Sequence, residues 1–313
     1  MVRWRNKTMQ KQNVSLFVLV LVGLCAFAFS AEARRVRKKI SPNKVAFHKG
    51  ELIRYKIKIG EVDGGYSYLF VKDVKKADKD LKMKATMKFR TNAFFDKIHR
   101  VNNKFTSFFA MLGKRFFRYR LDVDQAGWIQ LRKLSFDSKP KAGRLKLSVK
   151  SGRGKKYRNY KYEKKKAKRK FTRSWKRKLR VPRDTFDLVS GIYHARALRY
   201  KKGRKFSFHV YSAGRLWKLT GKMVGKERFY SALGPRTTYK LEAKAYCLTR
   251  PQSSRVLRVW LTADHLRIPL RIQGKVPYLG YVTANIAGYR KSLKSRYIDG
   301  RHRGRLRNLF GRF

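Results

Sequence analysis

Asp187, Ser190 and His194 stand at positions i, i+3 and i+7. On a helix that spacing sets them in one row. A carboxylate, a hydroxyl and an imidazole are the parts of a nucleophilic triad, in which the imidazole takes the hydroxyl proton and the carboxylate orients the imidazole. The setting does not suit that chemistry. A serine inside a helix has no strained elbow to present it, and no oxyanion hole is evident near it. A capping aspartate and a polar helix face account for the same residues. Other catalytic routes are no better served. The six histidines (His48, His99, His194, His209, His265 and His302) show no HxH or HxxxH spacing, so no metal site is indicated. There is no P-loop and no GxGxxG after a strand. With 18 Asp and Glu in 313 residues, no close carboxylate pair stands out for glycoside hydrolysis. The residues indicate no enzyme, no cofactor and no metal.

Charge says more about partners. Lys and Arg number 82 against those 18 acids, a formal net charge of +64. A compact chain so charged repels itself unless anions neutralise it. The expected partner is anionic lipid, lipopolysaccharide or an acidic wall polymer. The alternative is a surface adapted as a whole to its medium, since the charge is spread along the entire chain. The densest run is 155–180, with 15 basic residues and one acid, Glu163. It reads as a solvated hairpin or loop. The expected anion contacts at its tip are Lys164, Lys165, Lys166, Lys168, Arg169 and Lys170, with Tyr160, Tyr162, Phe171 and Trp175 as interfacial aromatics. Such mixing can also serve single-stranded nucleic acid, through phosphate contacts and base stacking. No DNA- or RNA-binding signature accompanies it, and exported proteins seldom meet nucleic acid. The sequence sets no oligomeric state.

Export is indicated by the N-terminus. Arg3, Arg5, Lys7 and Lys11 form a positive region, Val14–Phe29 an apolar run, and Ala31-Glu32-Ala33 a small-x-small cleavage site. Residues 1–33 therefore read as a signal peptide cleaved near Ala33, with periplasm or cell envelope as the destination. The rival is an uncleaved anchor, but a run of 16 residues falls short of the roughly 20 that span a bilayer. Cys25 follows Leu24, where a lipobox needs a small residue. Cleavage leaves Cys247 alone, so the core must hold without an internal disulfide. Cys247 itself reads as a small buried hydrophobe.

The elements that would position these residues are mostly strands. A hydrophobic share of 42% suffices for a packed core. Leu81, Met83, Ala85, Met87 and Phe89 alternate with Lys82, Lys84, Thr86, Lys88 and Arg90, the period of a half-buried strand. Glu51–Gly60 repeats that pattern, with a hairpin turn expected at Val62-Asp63-Gly64-Gly65 and a return over Tyr66–Val71. Thr91–Leu112 fits either short strands or one helical piece. Phe116–Val123 and Trp128–Phe136 read as a hairpin around Asp124-Gln125-Ala126-Gly127. Asp184–Leu198 is the expected helix, capped by Asp184 or Asp187, with Phe186, Val189 and Tyr193 as its apolar stripe. Lys205–Tyr211, Arg215–Val224 and Thr237–Leu248 are further strands. A meander, Val256–Ala287, closes the domain, with Leu266, Ile268, Leu270 and Ile272 alternating along its second strand. Pro269 within that strand belongs at an edge or a bulge. The expected fold is mainly β: a curved antiparallel sheet, half-barrel-like, packed on one short α-helix, with an N-terminal signal helix. The expected organisation is signal 1–33, basic leader 34–48, one domain over 49–290, and a basic tail over 291–313.

Three stretches resemble one exported bacterial family, domain of unknown function 3108. They are Gly50-Glu51-Leu52-Ile53-Arg54-Tyr55 with Gly64-Gly65 and Tyr66; Asp187-Leu188-Val189-Ser190-Gly191-Ile192-Tyr193-His194-Ala195-Arg196; and Val259-Trp260-Leu261-Thr262-Ala263-Asp264 with Arg267, Ile268, Pro269 and the Gly280–Ile286 strand. Asp187, Ser190, Tyr193 and Arg196 fall where the family carries Asp, Ser, Tyr and Arg. The resemblance covers roughly Gly50–Tyr289 and implies a periplasmic or envelope-associated β-rich domain with no established activity. The basic loop and the charge depart from it. The expectation is a non-enzymatic envelope protein with a basic exterior. The alternatives are a carrier holding acyl chains in a concave sheet, and a hydrolase. An apolar concavity favours the carrier, and a buried Ser–His contact beside free backbone N–H groups the hydrolase.

Overall fold

The computed structural model describes residues 47–77, 80–110, 115–136, 143–153, 171–182, 184–212, 214–249, 254–276 and 280–292. The signal segment, most of the leader, Tyr160, Tyr162, the Lys164–Lys170 tip and most of the tail lie outside the described residues.

Strands dominate. They are β1 (Leu52–Ile59), β2 (Val62–Ala77), β3 (Asp80–Thr91), β4 (Asn102–Ala110), β5 (Arg115–Gln125), β6 (Trp128–Phe136), β7 (Arg144–Arg153), β8 (Arg173–Arg180), β9 (Thr185–Asp187), β10 (Lys205–Ser212), β11 (Arg215–Ser231), β12 (Gly234–Cys247), β13 (Ser254–Thr262), β14 (Pro269–Val276) and β15 (Gly280–Arg290). Two short helices interrupt them, α1 (Ala93–His99) and α2 (Leu188–Ala197). All fifteen strands form one curved sheet, ordered β8-β7-β6-β5-β4-β3-β2-β1-β15-β14-β13-β12-β11-β10-β9. Every pairing is antiparallel except the short β9–β10 pair.

The alternation of the sequence becomes the two faces of this sheet. Ile53, Leu69, Met87, Phe105 and Leu121 are register partners in turn from β1 to β5, and all five are buried. The intervening Lys and Arg face outward. Bulges in β2, β5, β11, β14 and β15 break the register and tighten the local twist, which helps the sheet curl. Helix α2 sits in the resulting concavity against β3, β4, β9 and β10, and β9 comes to lie against β5. The inner face is filled: Trp217, Tyr193, Phe105, Phe109 and Phe186 are all fully buried. Each such side chain contributes roughly 1.5–3 kcal/mol by leaving water. Cys247, the one cysteine among the described residues, is free and buried in this core. At one edge, β8 carries Arg173, Lys176, Arg177, Lys178 and Arg180, all exposed. Charged side chains on an edge strand oppose sheet-to-sheet aggregation.

Several elements differ from their sequence reading. The first hairpin turns at Gly60-Glu61, not at residues 62–65, and β2 runs on to Ala77. Gly64 and Gly65 instead lie within β2, beside a register shift at Ile57/Lys58. A Cβ on Gly65 would stand 2.2 Å from the Arg90 carbonyl oxygen, so close strand approach, not the turn, requires that glycine. Residues 91–112 contain both alternatives, α1 and then β4. The main helix starts at Leu188, four residues later than expected, because Thr185–Asp187 pair with His209–Tyr211 of β10. In the meander, Leu266 and Ile268 belong to a loop, and β14 starts at Pro269. Pro269 is paired with Leu261 at a bulge of an interior strand, where its missing N–H is tolerated. β11 and β12 also run further than read, meeting in a tight hairpin at Ala232-Leu233. Arg173–Arg180, within the basic run, is strand β8.

Candidate functional site

The start of α2 is fixed by Asp187. Its backbone is extended, and its Oδ1 accepts hydrogen bonds from the N–H groups of Val189 (2.8 Å) and Ser190 (3.1 Å). Ser190 reciprocates: its Oγ accepts from the Asp187 N–H at 2.9 Å and donates to Asp187 Oδ2 at 2.8 Å. This is a capping box closed by serine. Ser107 of β4 donates to the same Oδ2 at 2.5 Å, tying the helix to the sheet. Asp187 is wholly buried, and burial raises its pKa from 3.8 to about 6, against the pull of the bonds from Ser107 and Ser190. His194 lies a turn further on, stacked on Phe186 with a centroid distance of 4.2 Å and edge-on to Phe208. Asp187 and Ser190 thus meet as cap partners in a core that solvent does not reach, and His194 packs among aromatics.

Ser190→Ala removes the acceptor of the buried Asp187 N–H. A loss of about 1–3 kcal/mol in chemical denaturation is expected, the scale of an unsatisfied buried donor. No labelling of Ser190 by a serine-directed phosphonate is expected in the wild type. Labelling would reinstate a hydrolase.

Arg196, at the other end of α2, gathers the three motif stretches. Its Nη1 and Nη2 donate to Glu51 Oε1 and Oε2 at 2.6 and 2.9 Å, and both side chains are 0% exposed. Its Nε and Nη2 also donate to the carbonyls of Arg267 (3.2 Å) and Leu266 (2.9 Å). Burial works to lower the guanidinium pKa, but the Glu51 charge and hydrogen bonds outweigh it and leave the pKa raised. Phe47 and Tyr193 cover the guanidinium, 4.9 and 5.1 Å from its carbon. The loop that supplies the two carbonyls is built by Asp264, whose Oδ1 accepts from Thr262 Oγ1 and from the N–H groups of Leu266 and Arg267. Arg267 there has a φ of 49° and donates to the Leu198 carbonyl at 2.9 Å. Sequence reasoning missed Glu51 as the partner of Arg196. Its only signal was an acid opening the first motif of a chain poor in acids.

The outer face carries a different site. On β2–β5, Lys84, Lys104 and Arg120 stand over a floor of Phe70, Thr86 and Thr106, around a cleft of about 270 Å³. Thr86 and Thr106 are cross-strand partners, their hydroxyls 3.4 Å apart. A second cleft continues it past Lys88 and Asn102, towards α1. Asp122 is the carboxylate in this lining, and Arg120 holds it through Nε and Nη2, both at 2.9 Å. Apart from Phe70 and Asp122 the lining residues are polar or cationic, so the clefts are suited to an anion. Of the expected interfacial aromatics, Trp175 projects from β8 and is 48% exposed, and Phe171 is half-buried just before it. Trp260 is buried beneath Phe229 and Arg271 and donates to Glu227. Among the described residues, no group of three His, Cys, Asp or Glu side chains could hold a metal ion.

Comparison with solved structures finds similarity at low identity. The beta-barrel-like protein of domain of unknown function DUF1849 from Brucella abortus is 9% identical, with a TM-score of 0.43 over 78% of this chain and 98% of that one. A Bacteroides fragilis protein described as exported, with a YmcC-like fold, is 8% identical, with a TM-score of 0.35 over 79% of this chain and 98% of that one. The hypothetical lipoprotein YmcC from Escherichia coli is 8% identical, with a TM-score of 0.27 over 91% of this chain and 98% of that one. No curated protein matches the chain. One family does, Protein of unknown function (DUF3108), over residues 85–287. The matched range opens in β3, after Glu51, and takes in α2, the Asp264 loop and nearly all of the closing meander. It covers more than half of the 313 residues, and the chain belongs to the DUF3108 family.

Proposed function

We propose that this is an exported, envelope-associated protein without enzymatic activity, whose basic exterior contacts anionic envelope components. The observation that carries the reading is the outer face of β2–β5, where Lys84, Lys88, Lys104 and Arg120 converge on two adjoining clefts within a chain of net charge +64. The signal-like N-terminus supports the location. The filled inner face supports a contact protein over an acyl-chain carrier, and the burial of Ser190 supports it over a hydrolase. Anionic lipid and lipopolysaccharide present dense phosphate, which suits these cations. The basic run 155–180 acts in the same reading as the main source of long-range attraction.

Sedimentation with lipid vesicles tests it. The mature protein is expected to bind anionic vesicles at low salt and to release steeply as salt rises, because surface attraction is screened over roughly 8 Å at physiological ionic strength. Neutral phosphatidylcholine vesicles are expected to leave it in solution. Failure to bind anionic vesicles at low salt, or equal binding to neutral ones, would overturn the reading.

A further inference from the structure

Helix α1 keeps two large apolar side chains in water. Phe94 and Ile98 are 59% and 66% exposed, and their i, i+4 spacing puts them on one face. Scattered surface hydrophobics are ordinary; this pair is set on a mount that polar contacts fix firmly. Asn92 caps the helix by accepting from the Phe95 N–H at 2.9 Å, and its own side chain donates to the Asp63 carbonyl. Its backbone N–H donates to the Gly64 carbonyl at 3.2 Å. Asp96 accepts from Thr91 Oγ1 at 2.5 Å and from Arg90 at 3.4 Å. The ring of Phe95 braces Phe94 edge-on at 5.3 Å.

The ground beside this pair is basic. Asn102 lines the cleft of Lys88, Lys104 and Arg120, and its register partner Arg90 donates to Asp96 of α1. The Thr86–Thr106 floor lies four residues back along the strands, about 13 Å at the usual rise. An apolar wedge next to a cationic, hydroxyl-floored cleft matches the layers of an anionic bilayer, whose phosphates lie just above its hydrocarbon. The cleft of Lys88, Lys104 and Arg120, about 390 Å³ with Asn102 and Asp122 completing its lining, fits a headgroup and not an acyl chain.

We propose that Phe94 and Ile98 of α1, with the Lys88–Lys104–Arg120 cleft, form one lipid-docking edge. The apolar pair inserts below the phosphate plane of an anionic membrane while the cleft takes a headgroup phosphate. The proposal rests on the contact reading above and assigns it a location and an orientation: the β3–β4 end of the sheet faces the lipid.

The test uses the full mature chain and phosphatidylcholine vesicles with and without phosphatidylglycerol. F94S/I98S is expected to lose about tenfold in partitioning near 1 M salt, where screening acts over about 3 Å and apolar insertion dominates. Trp175→Ser is expected to lose little there. K88Q/K104Q is expected to lose about tenfold at physiological salt, more than the equally charged loss K176Q/K178Q on β8. All these side chains lie at the surface, and matching thermal melts would show that the variants fold. If F94S/I98S binds like the wild type near 1 M salt, the wedge is wrong and the pair belongs to some other partner. If K88Q/K104Q loses no more than K176Q/K178Q, the cleft has no privilege and the proposal falls, while the contact reading stands. If the wild type itself ignores anionic vesicles at low salt, the contact reading falls first.

Discussion

Replacing Arg196 by methionine is expected to cost about 3–5 kcal/mol of folding stability, the scale for breaking a buried ion pair from one side. The change strands the Glu51 carboxylate at 0% exposure and leaves the Leu266 and Arg267 carbonyls without this donor. Glu51→Gln should be severe as well, because the guanidinium then lacks its countercharge. Arg196→Lys should not rescue, since an ammonium cannot span two carboxylate oxygens and two carbonyls in one plane. Replacing both partners by apolar residues should recover much of the loss, because no lone charge then remains in the core. Urea denaturation followed by tryptophan fluorescence measures all four. The buried Trp217 reports on the same core. Single variants within 1 kcal/mol of wild type would mean that the pair does not hold the three stretches together. A domain of ordinary stability has about 5–15 kcal/mol in total, so either single change threatens folding at 37 °C.

The second large effect is a pH dependence from Asp187. Its carboxyl has a folded pKa of about 6 against 3.8 in the unfolded chain, because burial opposes ionisation. The folded state therefore holds a proton that the unfolded state releases, and stability falls as pH rises through that window. The contribution is fully present below about pH 4 and is lost as pH passes about 6. A shift of about two units corresponds to roughly 3 kcal/mol. Asp187→Asn keeps an oxygen for the Val189 and Ser190 N–H groups and cannot ionise. Its stability, measured relative to wild type by denaturation at pH 4, 5, 6 and 7, should rise across the series. A difference that stays flat would mean that Asp187 does not titrate in this range. Asp187→Ala should be destabilised by roughly 3 kcal/mol at pH 4, since it removes the cap and leaves two N–H groups and Ser107 without their acceptor, and the deficit should narrow as pH rises, because alanine cannot ionise either.

Much of this architecture was legible because its causes are local. The Leu81–Phe89 alternation needs only the pleat of one strand to separate core from solvent. The turn at Ala126-Gly127 follows from neighbours in sequence; Gly127 has a φ of 83°, which glycine adopts without strain. Asp187 as a cap is likewise readable within one helical turn, as is the strength of the charge. The remaining features depend on which strands become neighbours, which no local pattern states. Thr185–Asp187 could have continued the helix; pairing with β10 made it a strand. Gly65 looked like a turn residue until the Arg90 carbonyl of β3 came within reach of its missing Cβ. Trp260 is buried because the extended β11–β12 hairpin brings Phe229 and Glu227 over it. Glu51 and Arg196, 145 residues apart in the chain, form an ion pair only because the sheet curls far enough to bring β1, α2 and the Asp264 loop to one point. Local chemistry set the faces, caps and turns. The curl of the sheet chose the partners, because a buried charge is tolerated only where the fold delivers its counterion.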